Sequence, residues 1–474
     1  MRQELLPYGV EVVGEADTVT ARAGLPLVVE TMRALGLADS IKARVDVRQR
    51  ASGRDEVEMI EALVLLMASG GECIDDINVL RADQGLGRLL DRSLPSADAL
   101  RRFLYAFHDD ELIAQAQSER AAEAVAYIPQ ENAALRGLAE VNVSFARAVA
   151  RQGKSRKATL DHDATILESH KQQALAHYKG GRGYQPAAVY WVEQDLVIAD
   201  EYRDGNVPAA MDNLRLIRRA FASLPEMVNE YFFRADSACY DEQVLKWLAN
   251  PERDGGPRGR IGFTISADMS KELRAVCEGV AEQRWTLVEE RAEESVYWAE
   301  VEFTPGVWPK DAKPLRYVAV RIRKKQGLLF AAGYDTKHLA VVSNRWEMDG
   351  ADLLRWHWAK AGTIEHVHDV SKNELGAAVP PCGRFGANAA WYRISLLTYN
   401  VLSAMKSQLL PAELSMARPK RLRFRVFTIA GRLISHAGKL IVRISEAAER
   451  FAGLLTARAR LTVLVVSGAA SVST

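Results

Sequence analysis

The stretch Ala158-Thr-Leu-Asp-His-Asp-Ala-Thr165 follows a polar, basic connector, Arg151-Gln-Gly-Lys-Ser-Arg-Lys157, and reads as a β-strand ending in acids. A new unit begins there. Downstream, Gln185 to Val192 and Leu196 to Tyr202 read as two further strands, separated by the turn-like Glu193-Gln-Asp195. A helix is predicted from about Ala209 to Ala222, then a strand Tyr231-Phe-Phe-Arg-Ala235 that runs into Asp236. A helix from Asp241 to Leu248 and a strand from Ile261 to Ser266 complete the run.

Three strands in meander followed by alternating helix and strand is the order of a ribonuclease-H-like α/β domain, an order other mixed α/β folds share in part. From about Met269 to Asn344 the hydrophobic period becomes two: Val296 and Trp298, then Val318, Val320 and Ile322 against Tyr317, Arg321 and Arg323. A β-rich insertion is therefore expected at 269–345, dividing the core into 158–268 and 346–410. Helical pattern resumes at Gly350, passes Glu365 and continues from Asn388 to Met405. Upstream, Val57, Ile60, Leu63, Val64 and Met67 recur at helical spacing, which predicts an all-helical N-terminal domain over 1–120 and a linker over 121–157. Its last helix has Ser96 as N-cap and carries Arg101 and Arg102. These arginines read either as part of a helix-turn-helix-like element on DNA or as solvated charges on a capped helix.

With 474 residues, 48% apolar and 26% charged, the chain is long enough for several units and too hydrophobic to be largely disordered. The net charge of +1 does not single out a nucleic-acid binder, so distribution matters more. From Ser415 to Ser445 there are Arg418, Lys420, Arg421, Arg423, Arg425, Arg432, Lys439 and Arg443 and no Asp or Glu. This run, within a C-terminal tail at 411–474 expected to be helical, reads as a solvated face or a phosphate contact. Cys73, Cys239, Cys277 and Cys382 are scattered and match neither a zinc site nor a disulfide framework. The opening residues lack the apolar stretch of a leader, and Leu461 to Val466 is too short to span a bilayer; a cytoplasmic, nucleoid-associated protein is expected.

Phosphodiester chemistry with two divalent ions requires hard carboxylate ligands converging from separate segments. Asp163 on the first strand and Asp236 after the fourth hold the right places, although an Asp at a strand end also serves as a turn cap. A third acid lies in Trp358-Ala-Lys-Ala-Gly-Thr-Ile-Glu-His-Val-His-Asp-Val-Ser-Lys372, which resembles the signature Tyr-x-x-Arg-x-x-x-Glu-x-x-x-x-x-x-Lys of insertion-sequence transposases. Glu365 and Lys372 match it, close to two helical turns apart and so on one face. The blocks Leu160-Asp-His-Asp-Ala-Thr165, Gly181-Arg-Gly-Tyr-Gln-Pro186, Arg234-Ala-Asp-Ser237, Gly362-Thr-Ile-Glu365, Lys372-Asn-Glu-Leu-Gly376 and Phe385-Gly-Ala-Asn-Ala-Ala-Trp391 are similar in order to the insertion sequence 1380 family, related to the insertion sequence 4 group.

The resemblance implies a DDE transposase with catalytic, metal-binding Asp163, Asp236 and Glu365. It would use two magnesium ions, with manganese able to substitute. Its partners would be the terminal inverted repeats of its element and target DNA, met as a homodimer on paired ends, with no membrane. Lys372 would hold a DNA phosphate. Trp358 and Ala361 stand where the family has Tyr and Arg; Trp358 can still stack on DNA, and Lys360 is the candidate replacement cation. Strand geometry puts Asp161 and Asp163 on one face and does not choose between them; the family's Thr two positions after its first acid, here Thr165, favours Asp163. His162, His366 and His368 have no necessary role. Trp285, Trp298 and Trp308 read as sheet packing or as stacking partners for a flipped base. The reading of a different class is a catalytically impaired DNA-binding relative, for which Ala361 is the support.

Overall fold

The structure is a computed structural model that describes residues 18–48, 53–153, 155–306, 308–309, 313–444 and 449–471. The opening residues read for a leader, and Ser445, lie outside them.

The N-terminal third is helical: α1 (Pro26–Ala34), α2 (Leu37–Arg44), α3 (Glu56–Ser69), α4 (Ile77–Ala82), α5 (Gln84–Leu89), α6 (Ala97–Tyr105) and α7 (Asp110–Glu119), after a short strand β1 (Val19–Thr20). Local chemistry fixes the boundaries. Asp55 caps α3 by accepting from the Glu58 amide at 2.8 Å, and Gly70, at φ 96°, ends it in the left-handed region. Ser96 caps α6 as the sequence predicts, accepting from the Ala99 amide. The expected linker at 121–157 instead contains α8 (Ala133–Gln152), capped by Asn132. Leu135, Leu138, Val141, Phe145 and Val149 bury one helical stripe there, a pattern present in the sequence but masked by its polar flanks.

Among the described residues the largest sheet has nine strands. They are β2 (Lys157–Ala164), β6 (Ala187–Trp191), β7 (Leu196–Glu201), β8 (Glu230–Ala235), β9 (Ile261–Ser266), β10 (Thr286–Glu290), β11 (Glu294–Val301), β12 (Arg316–Lys324) and β13 (Thr336–Ser343), in the order β10-β11-β12-β13-β9-β8-β2-β6-β7. Strands β2, β8 and β9 are parallel, crossed over by α9 (Asn213–Ser223) and α10 (Glu242–Ala249). The insertion strands do not form a separate body. Strand β13 pairs with β9 through Val341 to Ser343, so the insertion extends the same sheet, with α11 (Lys271–Glu278) packed on β13. A small sheet of β3 (Leu167–Glu168), β5 (Arg182–Tyr184) and β4 (Leu175–Ala176) follows β2.

After the sheet come α12 (Gly350–Trp358), α13 (Ile364–Glu374) and α14 (Phe385–Gln408). Helix α14 is buried on all sides from Gly386 to Met405 and packs against α1, α3, α6, α8 and β7. One hydrophobic core therefore runs from Leu25 to Leu461 and joins the N-terminal helices to the sheet. Polar side chains on α14 complete edge strand β7: Asn400 accepts from the Val197 amide at 2.8 Å and donates to its carbonyl at 2.7 Å, where a bulge breaks the β6–β7 register. Arg393, fully buried, pairs with Asp200 and Glu131.

The C-terminal segment differs from the helical tail expected. After α15 (Pro419–Leu422), the strands β14 (Gly431–His436) and β15 (Lys439–Ile444) form a hairpin beside β1, and α16 (Glu449–Ser471) packs on α1. Ala437 and Gly438 turn the hairpin at φ 48° and 73°, the left-handed backbone of a tight two-residue turn. Among the described residues no helix is long and apolar enough to cross a membrane.

Candidate active site

Strands β2 and β8 run parallel and in register from Lys157↔Glu230 to His162↔Ala235. One step further along each chain stand Asp163 and Asp236. Neighbouring strands lie about 4.8 Å apart, so the register alone sets the two acids side by side at the carboxyl ends of adjacent parallel strands, where α/β sheets open their crevices.

Burial raises the pKa of Asp163, and the nearby Lys360 ammonium pulls it back down. Asp236 is likewise raised by burial, lowered by Lys360 and raised again by the charge of Asp163. The two carboxylates thus share one electrostatic pocket. Asp236 also caps the turn after β8, accepting from the Ala238 amide at 3.1 Å.

The third segment arrives through a broken helix. Asp349 caps α12, which ends at Trp358; a 3-10 turn, Ala359–Gly362, follows, and α13 then lies over the end of β2. Lys372 Nζ donates to Thr165 Oγ1 at 3.3 Å, and His368 lies close to the Asp163 backbone. Glu365 falls within about 60° of His368 and Lys372 around the helix, at 100° per residue. Its side chain is exposed and does not join the acid pair. Among the described residues no three His, Cys, Asp or Glu side chains converge tightly enough to hold an ion together.

Lys360, expected at the DNA surface, is turned inward. It is buried, with Nζ 3.6 Å from Asp163 Oδ2, because the 3-10 turn points this position at the sheet. Ala361 is exposed one residue on. Trp358 is half-buried beneath the Arg291 guanidinium, 5.8 Å from the ring centroid, and lines a cavity of about 280 Å³ with Val296, Val320, Ile322 and Leu339.

Asp161 is fully buried in a two-toothed ion pair with Arg234, both bonds at 2.7 Å, and accepts from the Thr363 hydroxyl. It ties β2 to β8 and to the start of α13, and its oxygens are committed. Of His162, His366 and His368, only His366 is exposed. His162 contacts the Cys239 thiol at 3.2 Å, and burial drives its pKa well below the usual imidazole range. Burial, with Lys360 and Lys372 nearby, depresses His368 to about 3.

The candidate DNA cations divide into two groups. Arg101 pairs with Asp75 and Asp98, whereas Arg102 is exposed. Arg418 pairs with Asp369 and Glu374, and Arg423 donates to the Ala68, Met67 and Glu374 carbonyls, closing the carboxyl end of α3. Arg425 is half-buried; Lys420 and Arg421 are exposed, Lys420 within 3.9 Å of Glu374. Trp308 is buried, Trp298 packs beneath α12 at Gly350, and Trp285 stacks under Arg321, so all three tryptophans serve sheet packing. Sequence reading placed Lys360 at a DNA phosphate and Thr363 within the Gly362-Thr-Ile-Glu365 block; it missed that Lys360 faces Asp163 and that Thr363 bonds Asp161, since both partners are distant in sequence.

The family described as Transposase DDE domain group 1 matches residues 7–465. Among solved structures, the chain is similar to piggyBac transposase, solved by cryo-EM as a synaptic complex with hairpin DNA. The identity is 11% and the TM-score 0.45, over 84% of this chain and 78% of that one. No curated protein matches the sequence. Since the family match spans nearly the whole chain, sheet, acid pair and C-terminal hairpin included, the protein belongs to the DDE transposases of group 1.

Proposed function

We propose that the protein moves an insertion element of the insertion sequence 1380 type: it binds terminal inverted repeats as a dimer, cuts the DNA ends and joins them to a target on a ribonuclease-H-like core. The observation that carries this reading is the placement of Asp163 and Asp236 at adjoining strand ends beneath the helix face of Glu365, His368 and Lys372.

The acid pair suits a divalent cation, which Glu365 would join from the facing helix. Two half-buried carboxylates side by side are drawn toward positive charge, which Lys360 meets from one side, and Asp, Asp and Glu oxygens suit magnesium. Two magnesium ions bound there would supply the charge that stabilises the attacking and leaving oxygens of phosphodiester exchange. Asp163 and Asp236 would hold them and Glu365 would complete the set. Lys372, anchored beside Thr165, would orient the transferred strand through a phosphate, while Arg234 and Thr363 keep Asp161 out of the ligand set.

The test is cleavage of a labelled terminal-repeat duplex with magnesium, beside binding measured with calcium. Asp163→Asn, Asp236→Asn and Glu365→Gln are each expected to abolish cleavage and leave end binding largely intact. Full cleavage by Glu365→Gln would sink the three-acid site. The impaired, DNA-binding reading is favoured by Lys360 within the acid pocket and Ala361 in place of an arginine; end binding without cleavage by the wild type would establish it.

A further inference from the structure

In the C-terminal hairpin Arg432 lies directly opposite Arg443, and His436 opposite Lys439. Side chains paired in this way share a face, and alternation adds Ile434 opposite Ile441 between them. Val19 of β1 continues the row beside Arg432. The other face of the hairpin turns Leu433 into the protein, leaving this one outward, with Arg432, His436, Lys439 and Arg443 exposed. Among the described residues no acid pairs with Arg432, Lys439 or Arg443. Two guanidinium groups directly across a strand pair repel, so the ribbon is built against its own stability unless an anion lies between them.

Resting on the transposase reading above, we infer that this hairpin face is a duplex-DNA contact that grips phosphates with its paired cations. The two cation pairs stand four residues apart along the strand, roughly 14 Å at the rise of an extended chain. That span matches a major groove about 12 Å wide. Arg432 and Arg443 meet the phosphates on one wall, Lys439 and His436 those on the other, and Ile434 and Ile441 face the groove between. The partner is the DNA backbone, because the face offers exposed cations around an apolar pair and no carboxylate that would repel phosphate.

The test uses the full chain and a labelled random-sequence duplex titrated across salt concentrations, with Arg432→Thr/Arg443→Thr as the variant. Removing two phosphate contacts is expected to flatten the slope of log K against log salt by about 1.8 and to weaken binding tens-fold near 0.1 M salt. The thermal midpoint without DNA should hold or rise, since two threonines pair well across strands and the repulsion is gone. If the double variant unfolds early, Lys439→Thr at the hairpin tip carries the test, with an expected slope change of about 0.9. Unchanged slope and affinity in a folded variant would overturn the inference while leaving the transposase reading standing. A change in oligomeric mass with unchanged DNA binding would likewise overturn it and make a second copy of this chain the occupant. A wild-type chain that binds no duplex would overturn both.

Discussion

Asp161 and Asp163 are two residues apart on one strand and differ in everything their surroundings supply. Asp161 is committed to Arg234 and Thr363 in a dry environment, so Asp161→Asn is a stability mutation. Breaking a buried pair and leaving Arg234 uncompensated costs about 3–5 kcal/mol, to be read as a lower denaturation midpoint at unchanged m-value. Lys360→Met should lower the thermal midpoint in a chelating buffer, since the buried acids lose their nearest cation, and magnesium should then restore more stability than it gives the wild type. No magnesium-dependent recovery would count against an ion at the acid pair. Asp204 offers a separate pH test. Burial raises its pKa to about 6. The native state therefore holds a proton that the unfolded chain has released between about pH 4 and 6, and stability falls as pH rises through that window. Asp204→Asn is expected to gain about 2 kcal/mol at pH 7 and to lose this part of the pH dependence; identical profiles for the two proteins would refute it.

The decisive element is the break between α12 and α13. A continuous helix across Ala359–Gly362 would turn position 360 differently; the 3-10 turn sends Lys360 toward Asp163 and leaves Ala361 in solvent. Ala361→Arg therefore adds a guanidinium to the surface without disturbing the core, and end cleavage should rise or stay level; severe loss in a folded variant would show that the local geometry here differs from the family's. The helix before the break is seated by contact with the insertion. A Cβ on Gly350 would meet the Trp298 ring at 2.3 Å, so Gly350→Ala should displace α12 at a cost of about 1–3 kcal/mol. The displacement would also reach the acid pocket, making cleavage fall with stability, whereas an undiminished midpoint would mean that the ring yields freely.

Over the whole molecule, a net charge of +1 hides a division of labour among its cations. Arg393 and Arg234 knit helices to the sheet, and Arg418 and Arg423 lock the C-terminal segment onto α13 and α3. The exposed hairpin cations, with Arg102, Lys420 and Arg421, are left on the surface where a phosphate backbone can reach them. Deleting 415–445 would consequently remove Leu422, Phe427 and Leu433 from the core and expose helix ends, testing folding instead of DNA contact. Arg423→Ala makes the structural half of this division measurable. Loss of its carbonyl partners should cost about 3 kcal/mol and leave the salt dependence of DNA binding unchanged in the folded fraction; a flatter slope would place Arg423 at the DNA instead.

The sequence by itself determined the strands of the acid-bearing unit, the period-two insertion, the cap of α6 and the positions of Asp163 and Asp236. These are written in local patterns, alternation, helical spacing and short polar caps, which act over a few residues and survive in a linear reading. Tertiary structure alone set the two acids apart: the strand pattern treats Asp161 and Asp163 alike, and Arg234, brought alongside by parallel pairing of β8, ties Asp161 in a two-bond pair while Asp163 meets Lys360 at 3.6 Å. It likewise decided that Lys360 faces inward, that Arg418 and Arg423 are structural, and that the insertion extends the main sheet through β13 and β9. In each case the deciding partner is distant in sequence, and a charge or strand edge is satisfied by whatever the fold brings to it.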